Sequence, residues 1–149
     1  MELVVKKYEE LTVDELYEIL RLRAEVFVVE QNCVYQDLDG KDKKAYHVFL
    51  KRDGEVVACL RVLPKGVSYP DAESIGRIVS KIHKSGLGKI VVAEGIKVAR
   101  EKFGAKRLLI SAQVQAQGFY EKQGFSVVTG ETYLEDDIPH TLMQYAYDD

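Results

Sequence analysis

The 149-residue sequence predicts an α+β fold, a mixed and mostly antiparallel central sheet flanked by helices. Three features predict it. Thr12-x-x-Glu15 is a capping box that opens a helix directly after a β-rich start. Asp53-Gly54 separates two β-rich runs, which is the pattern of a hairpin. From Gly86 to Gly104 an apolar stripe recurs at helical spacing, with β-rich runs on both sides of it.

The elements follow in order. Residues 3–8 read as a first strand, and after Thr12 the residues Leu16, Ile19, Leu20 and Arg23 keep a helical period to about Phe27. Residues 30–44 are polar and acidic and contain Gly40, so they read as a loop or broken helix, of a length that tends to carry function. Residues 46–51 and 56–63 are the hairpin strands, closed by Pro64; a loop over 66–71 leads to a strand over 75–80. In the next helix Gly88, Val91, Val92, Gly95, Ile96, Ala99 and Phe103 share one face, and Gly104 stops it. A strand over 107–112, a short helix over 115–123, and strands over 125–128 and 141–147 complete the chain. No repeat or linker divides residues 1–149, so one domain is expected, and the final strands offer an edge on which a second copy can pair.

Bulk properties exclude several function classes. An apolar share of 46% and a charged share of 30% belong to an ordinary globular protein, long enough to bury a core. The net charge of −3 argues against a non-specific nucleic-acid binder. Cys33 and Cys59 form neither a disulfide framework nor a Cys-x-x-Cys site, so reduced thiols and a cytoplasmic location are expected. The start lacks the order of a signal peptide and no apolar run has bilayer-spanning length, so no membrane partner is expected. No His/Cys/Asp cluster has metal-ligand spacing, so no metal is expected.

The most informative segment runs from the strand over 75–80 into Lys81, Lys84, Ser85 and then Gly86-Leu87-Gly88-Lys89. Glycines let several backbone N–H groups converge at a helix start, where the dipole favours an anion. On the glycines alone the segment also reads as a plain loop-to-helix turn with solvated lysines. A P-loop would need glycine where His83 stands and Ser or Thr where Ile90 stands; a dinucleotide fingerprint would need glycine at Val91. The remaining option is a pyrophosphate held after an antiparallel strand, the coenzyme A arrangement.

With His83-Lys-Ser-Gly86-Leu-Gly88 and Phe119-Tyr120-Glu-Lys-Gln-Gly124-Phe125, the sequence resembles the GNAT superfamily of acyl-CoA-dependent N-acetyltransferases. His83 stands where the family pattern has Arg or Gln. The resemblance is closest to the ElaA-like branch, on Val26-Phe-Val-Val-Glu30-Gln31, residues 35–42, Ile75-Gly-Arg77, Ala112-Gln113 and Glu135-Asp-Asp-Ile-Pro-His140. It implies a sheet splayed between the fourth and fifth strands and acetyl-CoA as cofactor. It also implies direct transfer of an acetyl group to an amine of a small molecule or peptide.

The resemblance assigns roles residue by residue. Backbone groups of Ile78, Val79 and Ser80 bind the pantetheine arm, although the same side chains also read as core. His83, Lys84, Ser85, Gly86, Leu87, Gly88 and Lys89 surround the pyrophosphate, and Gln113, Gln115 and Phe119 help hold the cofactor arm. Tyr120 is the expected general acid for the leaving thiolate; its plainer reading is a tyrosine packed beside Phe119 and Phe125. His140 and Glu73 are the expected bases, each also readable as an ordinary surface residue, while His47 reads as structural. For the acceptor, Glu30, Tyr35, Asp37 and Arg77 are the expected contacts. Glu30, Asp37, Asp39 and Asp42 favour a cationic amine, whereas Arg23, Arg61 and Arg77 favour a carboxylate- or phosphate-bearing acceptor; the sequence leaves both open. A non-catalytic acyl-CoA-binding module is the alternative, and His83 is the residue that favours it.

Overall fold

The computed structural model describes residues 1–82 and 85–148. Seven strands form one sheet: β1 (Glu2–Lys7), β2 (Tyr46–Arg52), β3 (Glu55–Leu63), β4 (Glu73–Ser80), β5 (Arg107–Gln113), β6 (Ser126–Glu135) and β7 (Ile138–Ala146). They lie in the order β1-β2-β3-β4-β5-β7-β6, and every neighbouring pair except β4–β5 is antiparallel. The helices are α1 (Val13–Arg23), α2 (Leu87–Phe103) and α3 (Gln117–Lys122). Among the described residues no helix is long and apolar enough to cross a membrane.

Helix α1 starts where the capping box demands. Glu15 N–H donates to Thr12 Oγ1 and Thr12 N–H to Glu15 Oε1, each at 3.0 Å. Glu15 is buried and also receives Lys6 and Lys51, both at 2.9 Å, which ties the helix start to β1 and β2. The apolar stripe Ile19, Leu22 and Val26 then packs on Phe49, Val56 and Cys59. The larger core lies on the other sheet face, where Val91, Val92, Val98 and Ala99 of α2 meet Leu60, Val62, Ile75, Leu108 and Ile110. Gly95 permits that approach: a Cβ there would stand 3.0 Å from Leu60 Cδ1.

Two expected boundaries are corrected. The first helix does not run evenly to Phe27 but widens after Arg23 into a π-helical segment, Ala24–Glu30, with Gln31 N–H bonded to Val26 C=O. The sixth strand extends beyond residue 128 to Glu135, and its hairpin turns at Asp136–Asp137. Its alternation was hidden because the strand is exposed along nearly its whole length and is interrupted by a bulge between Val127 and Thr132.

The feature that makes a site lies at β4. The β4–β5 ladder pairs Glu73 with Leu108 and Ser74 with Leu109, after which the two strands part. On its other side β4 carries an extra residue opposite Leu60, between the pairs Arg61–Gly76 and Cys59–Val79. Arg77 sits in this bulge with φ 51, a left-handed conformation that a non-glycine residue adopts only when its surroundings hold it. The bulge bends β4 away from β5 and opens a cleft.

Candidate active site

The splayed strands enclose a cavity of about 330 Å³, within the range of small-ligand sites. Its floor is the backbone of residues 75–80 on β4. The opposite wall carries Ser111 and Gln113 of β5, Tyr120 of α3, and Glu135 and His140 of the β6–β7 hairpin. The π-helical segment contributes Val26 and Phe27, and Gln31, Cys33 and Tyr35 follow it along the rim.

Tyr120 is buried and faces the cavity. Its ring packs edge-on against Phe119 and Phe125, the plainer reading, while the residue also lines the cavity. Burial pushes its phenol above the ordinary tyrosine value, which keeps the hydroxyl protonated and able to donate. Phe119 lies 3.6 Å from where a Cβ on Gly88 would stand, so the tyrosine's helix abuts the α2 start. That start is a 17-residue helix whose N-cap, Gly86, has φ 85. Ser85 Oγ donates to Ile82 C=O at 2.6 Å and folds the approach to it. Leu87 is buried in the core, while Lys89 is exposed. His83 and Lys84 lie outside the described residues.

His140 is buried and lines the cavity. Sheet register sets it in one row with Gln113 on β5 and Tyr133 on β6, so all three share a face. Its ring stacks on Tyr133 at 6.3 Å and 21°. Nδ1 lies 2.7 Å from Ile138 C=O; a carbonyl only accepts, so Nδ1 carries the proton. Nε2 then points at Glu135 Oε2, 3.6 Å away. Ser111 Oγ is 2.7 Å from both Glu135 Oε1 and the Tyr133 hydroxyl. Gln115 donates to Gln113 at 2.7 Å and Gln113 to Gln31 at 3.3 Å, an amide chain across the cleft.

Glu73, the other expected base, does not face the cavity. It is buried at the paired end of β4, before the strands part. Glu30 also lies outside the cavity lining, at the end of the π-helical segment.

The acidic loop is not a cation trap. Arg23, fully buried, donates from Nε to Asp37 at 2.9 Å and from Nη1 to Asp42 at 2.7 Å. Arg61 grips Asp39 with both Nη atoms, at 2.8 and 2.7 Å, and reaches Asp42 at 3.2 Å. Arg77 donates to Asp37 C=O at 2.9 Å and makes charge contacts with Asp37 Oδ1 at 2.8 Å and Asp39 Oδ2 at 3.4 Å. The Tyr35 hydroxyl completes Asp37 at 2.7 Å, and its ring lies under the Arg77 guanidinium. Three arginines thus meet three aspartates, and both sequence expectations for this loop cancel. Burial alone would raise Asp39 and Asp42, but the arginine contacts outweigh it and hold both carboxyls below their ordinary range. His47 lies beneath, where burial lowers its pKa and Nε2 donates to Asp42 C=O at 2.8 Å, the structural role expected of it.

Sequence reasoning did not single out Ser111, Tyr133 or Glu135. The period of two along β5 puts Ser111 on the face of Gln113, which was a usable signal. Glu135 opens the Glu135–His140 segment of the resemblance, which gave it no role, and Tyr133 carried no signal because its strand is exposed and bulged.

A mixed sheet splayed beside a bulged fourth strand, with a helix start next to the opening, defines an acyltransferase of the acyl-CoA-using kind. The chain belongs to the acetyltransferase (GNAT) family, whose model matches residues 13–125, and to its ElaA-like branch. It is 37% identical to the ElaA protein of Escherichia coli over 142 residues, 91% of this chain and 90% of that one. The crystal structure of Escherichia coli ElaA superposes with a TM-score of 0.88 at 34% identity, over 97% of this chain and 98% of that one. An acyl-CoA N-acyltransferase from Pseudomonas aeruginosa gives a TM-score of 0.89 at 40% identity, covering 98% of this chain and all of that one. At 15% identity the fold is still shared with the PaiA N-acetyltransferase of Thermoplasma acidophilum, solved with coenzyme A; the TM-score is 0.68, over 99% and 100% of the two chains.

Proposed function

We propose that this acyltransferase is an N-acetyltransferase that moves the acetyl group of acetyl-CoA directly to an amine of a small molecule or peptide. The observation that carries the reading is that Tyr120 and His140 face one cavity beside the unpaired run of β4. That run leaves the backbone of Ile78, Val79 and Ser80 available to the pantetheine arm. The Ser85–Gly88 turn presents helix N–H groups to a pyrophosphate. The amides of Gln113 and Gln115 line the same side.

When bound, acetyl-CoA supplies an activated thioester. The chain's own groups do the rest. A β4 backbone N–H facing the cavity is placed to stabilise developing negative charge on a carbonyl oxygen. His140 Nε2, held as a lone-pair nitrogen by the Nδ1–Ile138 bond, accepts a proton from the amine. The Tyr120 hydroxyl donates a proton to the departing thiolate.

Thiol release from acetyl-CoA over a panel of amines tests this reading. The wild type is expected to turn over at least one amine, and Tyr120→Phe to lower kcat by about 10²-fold while thermal stabilisation by coenzyme A persists. Stabilisation without thiol release from any amine would mark a non-catalytic acyl-CoA-binding module instead.

A further inference from the structure

The cavity's charges bear on the acceptor. Arg77 is the only lysine or arginine among the described lining residues, and it is committed to Asp37, Asp39 and the Tyr35 ring. The two aspartates offset its charge, so an acceptor carboxylate or phosphate meets no net positive charge there. Glu135 and Asp136 line the same cavity from the hairpin tip. Glu135 accepts a neutral hydroxyl from Ser111, and among the described residues no lysine or arginine pairs with it.

The geometry of Glu135 and His140 goes further. With Nδ1 donating to Ile138 C=O, His140 turns Nε2 toward the Glu135 carboxylate at 3.6 Å, a gap longer than a hydrogen bond. Stacking on Tyr133 and burial keep the imidazole from turning aside, so Nε2 and Oε2 converge on one point at the cavity wall. A group carrying several N–H donors and a positive charge fits that point, because it can donate to both atoms at once.

We propose that Glu135 and His140 together form an ammonium-binding pair that receives the acceptor as a cation and removes its proton. The acceptor class is therefore an alkyl amine that carries no carboxylate. This rests on the acetyl-transfer reading above. In the step, one N–H bond of the ammonium breaks and an Nε2–H bond forms on His140. The positive charge moves to the imidazolium, beside the Glu135 carboxylate, and the amine keeps its electron pair for attack. Glu135 is about half exposed, so the proton leaves to solvent past it. Ser111 is a positioning residue that holds Glu135 Oε1 and leaves Oε2 facing the imidazole.

Paired probes that differ by one carboxylate test the assignment: 1,5-diaminopentane against lysine, and agmatine against arginine, each with acetyl-CoA and the full chain. The decarboxylated member of each pair is expected to have a kcat/KM at least ~10-fold higher. Glu135→Gln is expected to lower that value ~10- to 100-fold, mostly through KM. Glu135→Lys is expected to reverse the preference, which a merely structural residue would not do. Equal or better use of lysine and arginine by the wild type, or an unchanged KM in Glu135→Gln, overturns the proposal. If no amine is acetylated, the transfer reading fails and the pair is tested on its own. Titration of the coenzyme A-loaded protein with 1,5-diaminopentane should then shift the His140 ring nitrogen resonance in wild type and not in Glu135→Gln. Absence of that shift in wild type rejects the site.

Discussion

The two walls of the cleft use carboxylates in opposite ways. On the β1–β4 side, Asp37, Asp39 and Asp42 are each met by at least one arginine, and the result is a stiff, electrically balanced lattice joining α1, the loop and β4. On the β5–β7 side, Glu135 meets a hydroxyl and an imidazole nitrogen, and no arginine or lysine among the described residues. A charge whose partners are supplied by the chain holds the chain together. A charge whose natural partner is missing is a place for something to bind. The number of acidic residues near a cleft therefore says little, and the accounting of their partners says much.

The largest expected effect breaks the balanced wall. Arg23→Ala removes the guanidinium between Asp37 and Asp42 and leaves Asp42 buried with only the longer Arg61 contact. Removing one partner of a buried pair costs about 3–5 kcal/mol, so the midpoint of chemical denaturation should fall steeply. A loss under about 1 kcal/mol would mean that water enters the lattice and the wall is not stiff.

Acid should act on the same half of the molecule next. Glu15 shows the sign most clearly: burial alone would raise its pKa, but Lys6, the Thr12 amide and Lys51 outweigh that and hold it at about 2, against an ordinary 4.5. A depressed carboxyl contributes stability that is complete above its unfolded value and is lost as pH falls from 4.5 toward 2. Asp39 and Asp42, shifted in the same direction, add to the loss below the ordinary carboxyl range. Because the lysine partners are partly exposed, we expect Glu15 to contribute on the order of 1–2 kcal/mol after screening. Denaturation midpoints between pH 7 and pH 3 should accordingly fall less steeply for Glu15→Gln than for wild type.

The same contrast explains what could be read from the sequence. Local signals carried through: the Thr12–Glu15 box, the Asp53-Gly54 hairpin and the two glycines bounding α2 are decided by neighbours a few residues away. Motif resemblance placed Tyr120 and His140 at one cavity, although Glu73 and Glu30 fell outside it. The arginine–aspartate lattice was out of reach, since its partners are separated by 14 to 40 residues and meet through a strand register and a bulge. Residues 30–42 therefore looked acidic when they are neutralised. The place of Glu135 at the cavity was hidden for a different reason. The residue lies on an exposed edge strand, where no buried face imposes alternation, and its partner Ser111 is 24 residues away on another strand.

The smallest expected effect is the sharpest test of the comparison. Glu135→Gln keeps the side chain's shape and its acceptor oxygen for Ser111, and removes a charge that no arginine or lysine among the described residues pairs with. If that carboxylate serves binding rather than folding, its loss should change stability by no more than about 0.5 kcal/mol, as for other exposed substitutions. The direction is informative as well. The new amide can donate toward His140 Nε2 where the carboxylate could only accept, so the variant should equal wild type in stability or slightly exceed it. Matched urea denaturation curves at neutral pH measure this directly. A loss approaching that of Arg23→Ala would place Glu135 with the balanced wall and erase the distinction between the two sides.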